Sequence, residues 1–118
     1  MSEIEQIEIS IDSARKDVEK MDGLLRLIKN KDFKSLIDDG YFVDEASRLV
    51  ILRADPSMQE DRVQKNIDDS ITAVGHFRQY LNTVMQIGRM AEQGIKEDEE
   101  TRQELLAEEL WYVSLWRS

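Results

Sequence analysis

The sequence predicts an all-α fold: a long antiparallel helical hairpin or three-helix bundle with heptad packing and a C-terminal aromatic tail. Three observations carry this. An a/d stripe runs unbroken through residues 4–28, and a second long stripe of the same spacing runs from about residue 63 to 95. Helix breakers are scarce, with five Gly and one Pro in 118 residues, while 35% of the chain is charged and 41% apolar. That balance describes long helices with solvated outer faces around a modest core. The length argues for one domain, in which a helical bundle over 1–95 is followed by an acidic segment and aromatic tail over 96–118.

The first stripe is Ile4, Ile7, Ile11, Ala14, Val18, Met21, Leu25 and Ile28, spaced alternately by three and four residues. It predicts a helix over 3–29, a rod of about 40 Å. Gly23 weakens it by about 1 kcal/mol relative to Ala without breaking the stripe. Ile9, Leu24 and Leu27 widen the apolar face towards both ends, as a helix with more than one neighbour requires.

Asn30-Lys31-Asp32 reads as a turn, with Asp32 as the cap of the next helix. Phe33, Leu36 and Ile37 form one apolar face of that short helix, which Asp38-Asp39-Gly40 is expected to end or kink, since Gly readily turns left-handed after a helix. A further helical stretch opens at Asp44-Glu45-Ala46 and runs through Leu49, Val50 and Leu52. Asp55-Pro56 stops it, because the residue before Pro avoids helical geometry. Ser57-Met58-Gln59-Glu60 has capping-box spacing, so the long third helix is expected to start there. Its stripe is Val63, Ile67, Ser70 or Ile71, Val74, Phe77, Leu81, Val84, Gly88, Ala91 and Ile95. Gly88 and Ala91 are small enough to let another helix come close. A stripe of this kind is core within one chain or a packing surface for another copy or another protein, and both readings stand.

Residues 96–109 hold seven acids and two bases, and then comes Leu110-Trp111-Tyr112-Val113-Ser114-Leu115-Trp116, with both tryptophans of the protein. Leu106, Leu110 and Val113 lie at helical spacing, so a final amphipathic helix is expected to about Val113. Trp and Tyr dominate binding hot spots. Leu110, Trp111, Tyr112, Leu115 and Trp116, with Gly88 and Ala91 on the third helix, are therefore the candidate partner-binding residues. The alternative is that the tail folds back to cover the bundle.

No constellation for chemistry stands out. His76 is the only histidine and reads as a surface or boundary residue rather than a ligand or base. The pairs Glu5/Glu8 and Glu19/Asp22 faintly resemble the acidic motifs of all-α nucleotide pyrophosphohydrolases, whose carboxylates converge on magnesium from facing helices. Here both pairs share one helix and sit away from the core seam, as a solvated stripe would. No Glu-x-x-His pair, phosphate-binding glycine loop or serine nucleophile motif is present. The reading is non-enzymatic, with no cofactor and no metal. The absence of Cys rules out disulfides, thiolate zinc sites and a cysteine nucleophile. A net charge of −9 disfavours direct nucleic-acid binding and anionic membrane surfaces. The acidic first residues lack the apolar core of a secretion signal, and no run approaches the roughly 18 apolar residues of a membrane span.

The segment from Asn30 to Leu49 (NKDFKSLIDDGYFVDEASRL), with Ile71-Thr72-Ala73-Val74-Gly75-His76-Phe77-Arg78-Gln79-Tyr80-Leu81, resembles small helical proteins of tailed bacteriophages over residues 25 to 95. The resemblance implies a phage-encoded protein of virion assembly, structure or host takeover, in the bacterial cytoplasm or the virion, and carries no functional residues. The expected function is a structural or assembly accessory protein that binds other virion proteins, or a further copy of itself, through its helical surfaces and tail. The alternative is an acidic inhibitor of a host nucleic-acid-handling or defence protein, whose carboxylates imitate phosphate charge.

Overall fold

A computed structural model describes residues 2–117, and among these there is no strand. The fold is all-α. Helix α1 spans Glu3–Ile28, a short α2 spans Lys31–Phe33, a π-helical segment spans Lys34–Glu45, α3 spans Ala46–Ala54, and α4 spans Asp61–Arg117. The helices form two compact units, one from residues 2–22 with 84–117, the other from Gly23–Thr83. Met1 and Ser118 lie outside the described residues. The boundary expected at 95/96 falls inside α4, which runs through it without a break.

The first unit is a two-helix antiparallel hairpin. Met21 of α1 lies against Gly88 of α4, whereas Ile4 shares a groove with Leu105, so α4 rises in number as α1 falls. On α1 the expected stripe is the inner face from Ile4 to Met21: Ile4, Ile7, Ala14 and Val18 are half-buried, and Ile11 and Met21 are buried, whereas its last expected member, Ile28, is exposed. On α4 the inner positions are Val84, Gly88, Ala91, Ile95, Asp98, Arg102 and Leu105, all buried or half-buried. The three-four spacing therefore continues straight through the acidic run, which is only partly a solvated face. Ile11 keeps only 1% of its surface in water, and burying an Ile side chain contributes about 1.5–3 kcal/mol. A cross-helix ion pair joins Arg15 Nη2 to Glu99 Oε1 at 3.9 Å, exposed and hence worth little.

Gly88 sets how closely the two helices approach. A Cβ at this position would lie 2.3 Å from Met21 Cβ and 2.7 Å from its sulfur. No real contact is that short, so any larger residue forces the helices apart. The small-residue seam read from the sequence is thus filled by the chain's own α1.

In the second unit Leu24, Leu49, Ile67 and Val74 are buried. Leu49 and Leu52 line one cleft with Val63 and Ile67, which seats α3 on the start of α4. Arg53 Nε and Asp68 Oδ1, 2.7 Å apart, close the same pair of helices. The connection between them is held by side-chain amides. Gln64 Nε2 donates to the Arg53 and Met58 carbonyls (3.0 and 2.6 Å), and Gln59 Nε2 donates to those of Arg53 and Asp55 (3.0 and 2.7 Å). At Arg53 these bonds satisfy a carbonyl that the end of α3 leaves without a helical partner.

Four local expectations need correcting. The cap of α2 is Asn30, not Asp32: its Oδ1 accepts from the Asp32 and Phe33 backbone N–H groups. Ser57 does not open the third helix. Asp55 instead caps a 3₁₀ turn over Pro56–Met58, accepting from the Ser57 N–H and hydroxyl, and α4 begins at Asp61. Those two bonds, the backbone one first, hold the Asp55 carboxyl below the ordinary aspartate range. A depressed folded value stabilises at neutral pH, and the contribution fades as acidification protonates the group. Leu36, expected on an apolar inner face, is 70% exposed.

The fourth correction is the largest. Asp38-Asp39-Gly40 neither ends nor kinks its helix, and no described residue has a positive φ. The chain stays helical with wider π turns, which bond i to i+5 and rarely exceed one turn. Gly40 supplies room rather than a left-handed turn: a Cβ there would lie 2.9 Å from the carbonyl oxygen of Ser35, five residues earlier. The π segment brings two consecutive aromatics to one place. Tyr41 and Phe42 both pack on Phe77 of α4, with centroids 6.0 and 5.5 Å away, and such pairs add about 0.5–1.5 kcal/mol beyond their burial. Where the π segment returns to α3, Arg48 Nε donates to Glu45 Oε2 at 2.9 Å.

Gly88→Ala is expected to lower the unfolding free energy by about 1–3 kcal/mol through overpacking. Gly94→Ala, six residues on with nothing within 4 Å of its Cβ, gains helix propensity and raises it by up to about 1 kcal/mol. Chemical denaturation followed by circular dichroism measures both, and effects of the same sign would contradict the close approach at Gly88.

Candidate interaction surface

The end of α4 is built by a difference in helix length within the first unit. Ser2 caps α1: its Oγ accepts from the Glu5 N–H at 3.1 Å and its carbonyl from the Gln6 N–H at 3.0 Å. The first turn of α1 therefore lies beside Leu105 to Val113 of α4. Ser2, Glu3 and Ile4 form one wall of an open groove of about 660 Å³, and Glu108, Trp111 and Val113 contribute to the other. No regular element of the unit covers the last turns of α4 beyond this groove, among the described residues.

What those turns carry is apolar. Leu110 is 72% exposed, Trp111 66% and Trp116 75%, and Tyr112, Val113 and Leu115 are exposed beside them. Tyr112 and Trp116, one helical turn apart, hold their rings at a centroid distance of 6.1 Å and a tilt of 58°. Glu104, Glu108 and Glu109 are exposed on the preceding turns. The result is a helical aromatic surface with an acidic collar. It is a candidate interaction surface, because folded proteins rarely leave so many large apolar side chains together in water.

Of the candidate residues read from the sequence, the structure groups Leu110, Trp111, Tyr112, Leu115 and Trp116 at this end of α4. The helix runs past the expected limit at Val113 to Arg117. Gly88 and Ala91 are not part of that surface. They lie in the hairpin seam, Gly88 buried under Met21 and Ala91 half-buried. The tail does not fold back over the helices as an apolar cover, since its large side chains stay in water.

His76 and the acids Glu5, Glu8, Glu19 and Asp22 are all exposed. No cluster of three His, Cys, Asp or Glu side chains that could hold a metal is found among the described residues. None of their helices is long and apolar enough to cross a membrane. Further exposed apolar side chains lie between residues 36 and 51, outside those read as candidates. Leu36, Val43, Val50 and Ile51 are each exposed. No family model, curated protein or solved structure matches the chain.

Replacing both tryptophans, Trp111→Ala with Trp116→Ala, is expected to change stability by no more than about 0.5 kcal/mol, as exposed positions allow. Because the protein has no other tryptophan, acrylamide quenching of the wild type reports on this surface alone and should be close to that of a free indole. A loss of about 2 kcal/mol or more, or shielded fluorescence in the monomer, would mean that the tail covers a core.

Proposed function

We propose that the chain is a non-catalytic interaction protein, a structural or assembly accessory of a tailed bacteriophage, that engages other virion proteins through the aromatic end of α4. The observation that carries the binding role is the exposed row Leu110, Trp111, Tyr112 and Trp116 on a regular helix. A preformed helix loses less conformational freedom on docking than an unfolded peptide. Large aromatic side chains contribute most of the energy of protein interfaces. The phage setting rests on the resemblance of the segments around residues 30–49 and 71–81.

The acidic-inhibitor reading draws less support. A phosphate mimic presents its carboxylates as a row on one free face, and the densest acidic run does not. Asp98 and Glu99 are half-buried beside α1, and Arg15 reaches Glu99.

In purified particles and assembly intermediates from infected cells, the wild-type chain is expected at a fixed ratio to a structural protein. The Trp111→Ala/Trp116→Ala variant is expected to keep its helicity and be lost from them by about tenfold or more, as removal of an interface anchor worth 2 kcal/mol or more predicts. Absence of the wild type from every particle and intermediate, or equal retention of the variant, would overturn the reading.

A further inference from the structure

We propose that the aromatic end of α4 docks on the turn between α1 and α2 of a second copy of this chain, a head-to-tail contact that rests on the reading of α4's end as a binding surface. The turn has the opposite chemistry to the tail. Arg26, Lys29, Lys31 and Lys34 lie within nine residues, against the single acid Asp32, in a chain that carries 16 bases and 25 acids overall. All four bases are exposed, and none of them makes an ion pair among the described residues. Between and beside them Leu27, Ile28 and Leu36 are exposed as well. The cap from Asn30 to the Asp32 and Phe33 N–H groups holds the turn in a single shape. The surface is therefore apolar with a basic rim, on a protein that is otherwise acidic.

The tail presents the complement: an apolar row behind the exposed acids Glu104, Glu108 and Glu109. Two copies carrying −9 each repel one another at most approaches. The basic turn is the local exception, and complementary potentials of this kind fix orientation and partner. A tail-to-tail pairing uses the aromatics equally well but gathers the acidic collars of both copies in one place and leaves the basic turn idle. The two surfaces belong to different compact units, so each copy offers one of each. The contact joins two different surfaces, so it can propagate into chains or close into rings, a reciprocal pair included.

Sedimentation equilibrium over a concentration series tests this. The wild type is expected to grow in mass beyond the monomer as concentration rises, with tryptophan emission moving to the blue as the tail is covered. Association should be lost on going from about 0.1 M to about 1 M salt, over which the screening length falls from about 10 Å to about 3 Å. Trp111→Ala/Trp116→Ala and, separately, Lys29→Glu/Lys31→Glu/Lys34→Glu should each be monomeric with unchanged circular dichroism. Mixed together, they should form a one-to-one complex and no more, since one supplies an intact turn and the other an intact tail. If the lysine variant still self-associates, the occupant is not the basic turn and the head-to-tail contact fails, while the binding role of the tail stands. A wild type that stays monomeric with exposed tryptophans overturns self-docking and leaves the tail for a different protein. Association unaffected by the tryptophan substitutions overturns both.

Discussion

The approach of Met21 to Gly88 is the constraint from which the first unit follows. With no side chain on Gly88, α1 and α4 come close enough for Ile11 to be almost fully enclosed by only two helices. A two-helix unit has few fully buried residues to draw on, so distance between the helices decides how much apolar surface leaves water. The same pairing fixes register. Once Met21 is seated on Gly88, Ile4 falls beside Leu105, and α4 goes on to Arg117 past the Ser2 cap that begins α1. The exposed aromatic end is thus a consequence of the seam, and moving the register by one turn would bury or bare a different set of side chains.

The second unit solves a different problem. Between residues 31 and 54 the chain stays helical but passes through a π segment over Lys34–Glu45. The π segment re-aims Tyr41 and Phe42 so that both meet Phe77, and Gly40 makes the wide turn sterically possible. Polar side chains then close the ends. Asn30 caps the entry, and Gln59 and Gln64 hold the exit of α3. No polar or charged side chain is buried among the described residues, so both units rest on apolar contact with caps at their margins.

Much of this was legible in the sequence where a signal depends on spacing alone. The stripe from Ile4 to Met21 became the inner face of α1, and Gly88 and Ala91 stood out as a site of close helix approach. What covers them was open, because spacing gives a face and not its occupant. Signals that depend on one residue's local geometry were read less well. Asp38-Asp39-Gly40 has the composition of a helix end, yet composition does not separate a glycine that turns left-handed from one that admits a carbonyl. Asp32 and Ser57 were plausible caps, displaced by Asn30 and Asp55, each two residues earlier. Read from the sequence, the long stripe ends at Ile95 because charge masks its continuation: Asp98 and Arg102 occupy seam positions. The aromatic tail was recognised from residue type, while its exposure needed the length difference between α1 and α4.

Amide hydrogen exchange along α4 tests the central claim, that a narrow α1–α4 seam runs out where α1 begins and leaves the aromatic turns uncovered. Exchange protection follows local burial and hydrogen-bond stability. The account predicts strong protection from Val84 to about Leu105 and a steep fall over Leu110 to Arg117 in the monomer. Uniform protection through the aromatic turns, or none in the segment facing Met21 and Ile11, would contradict it.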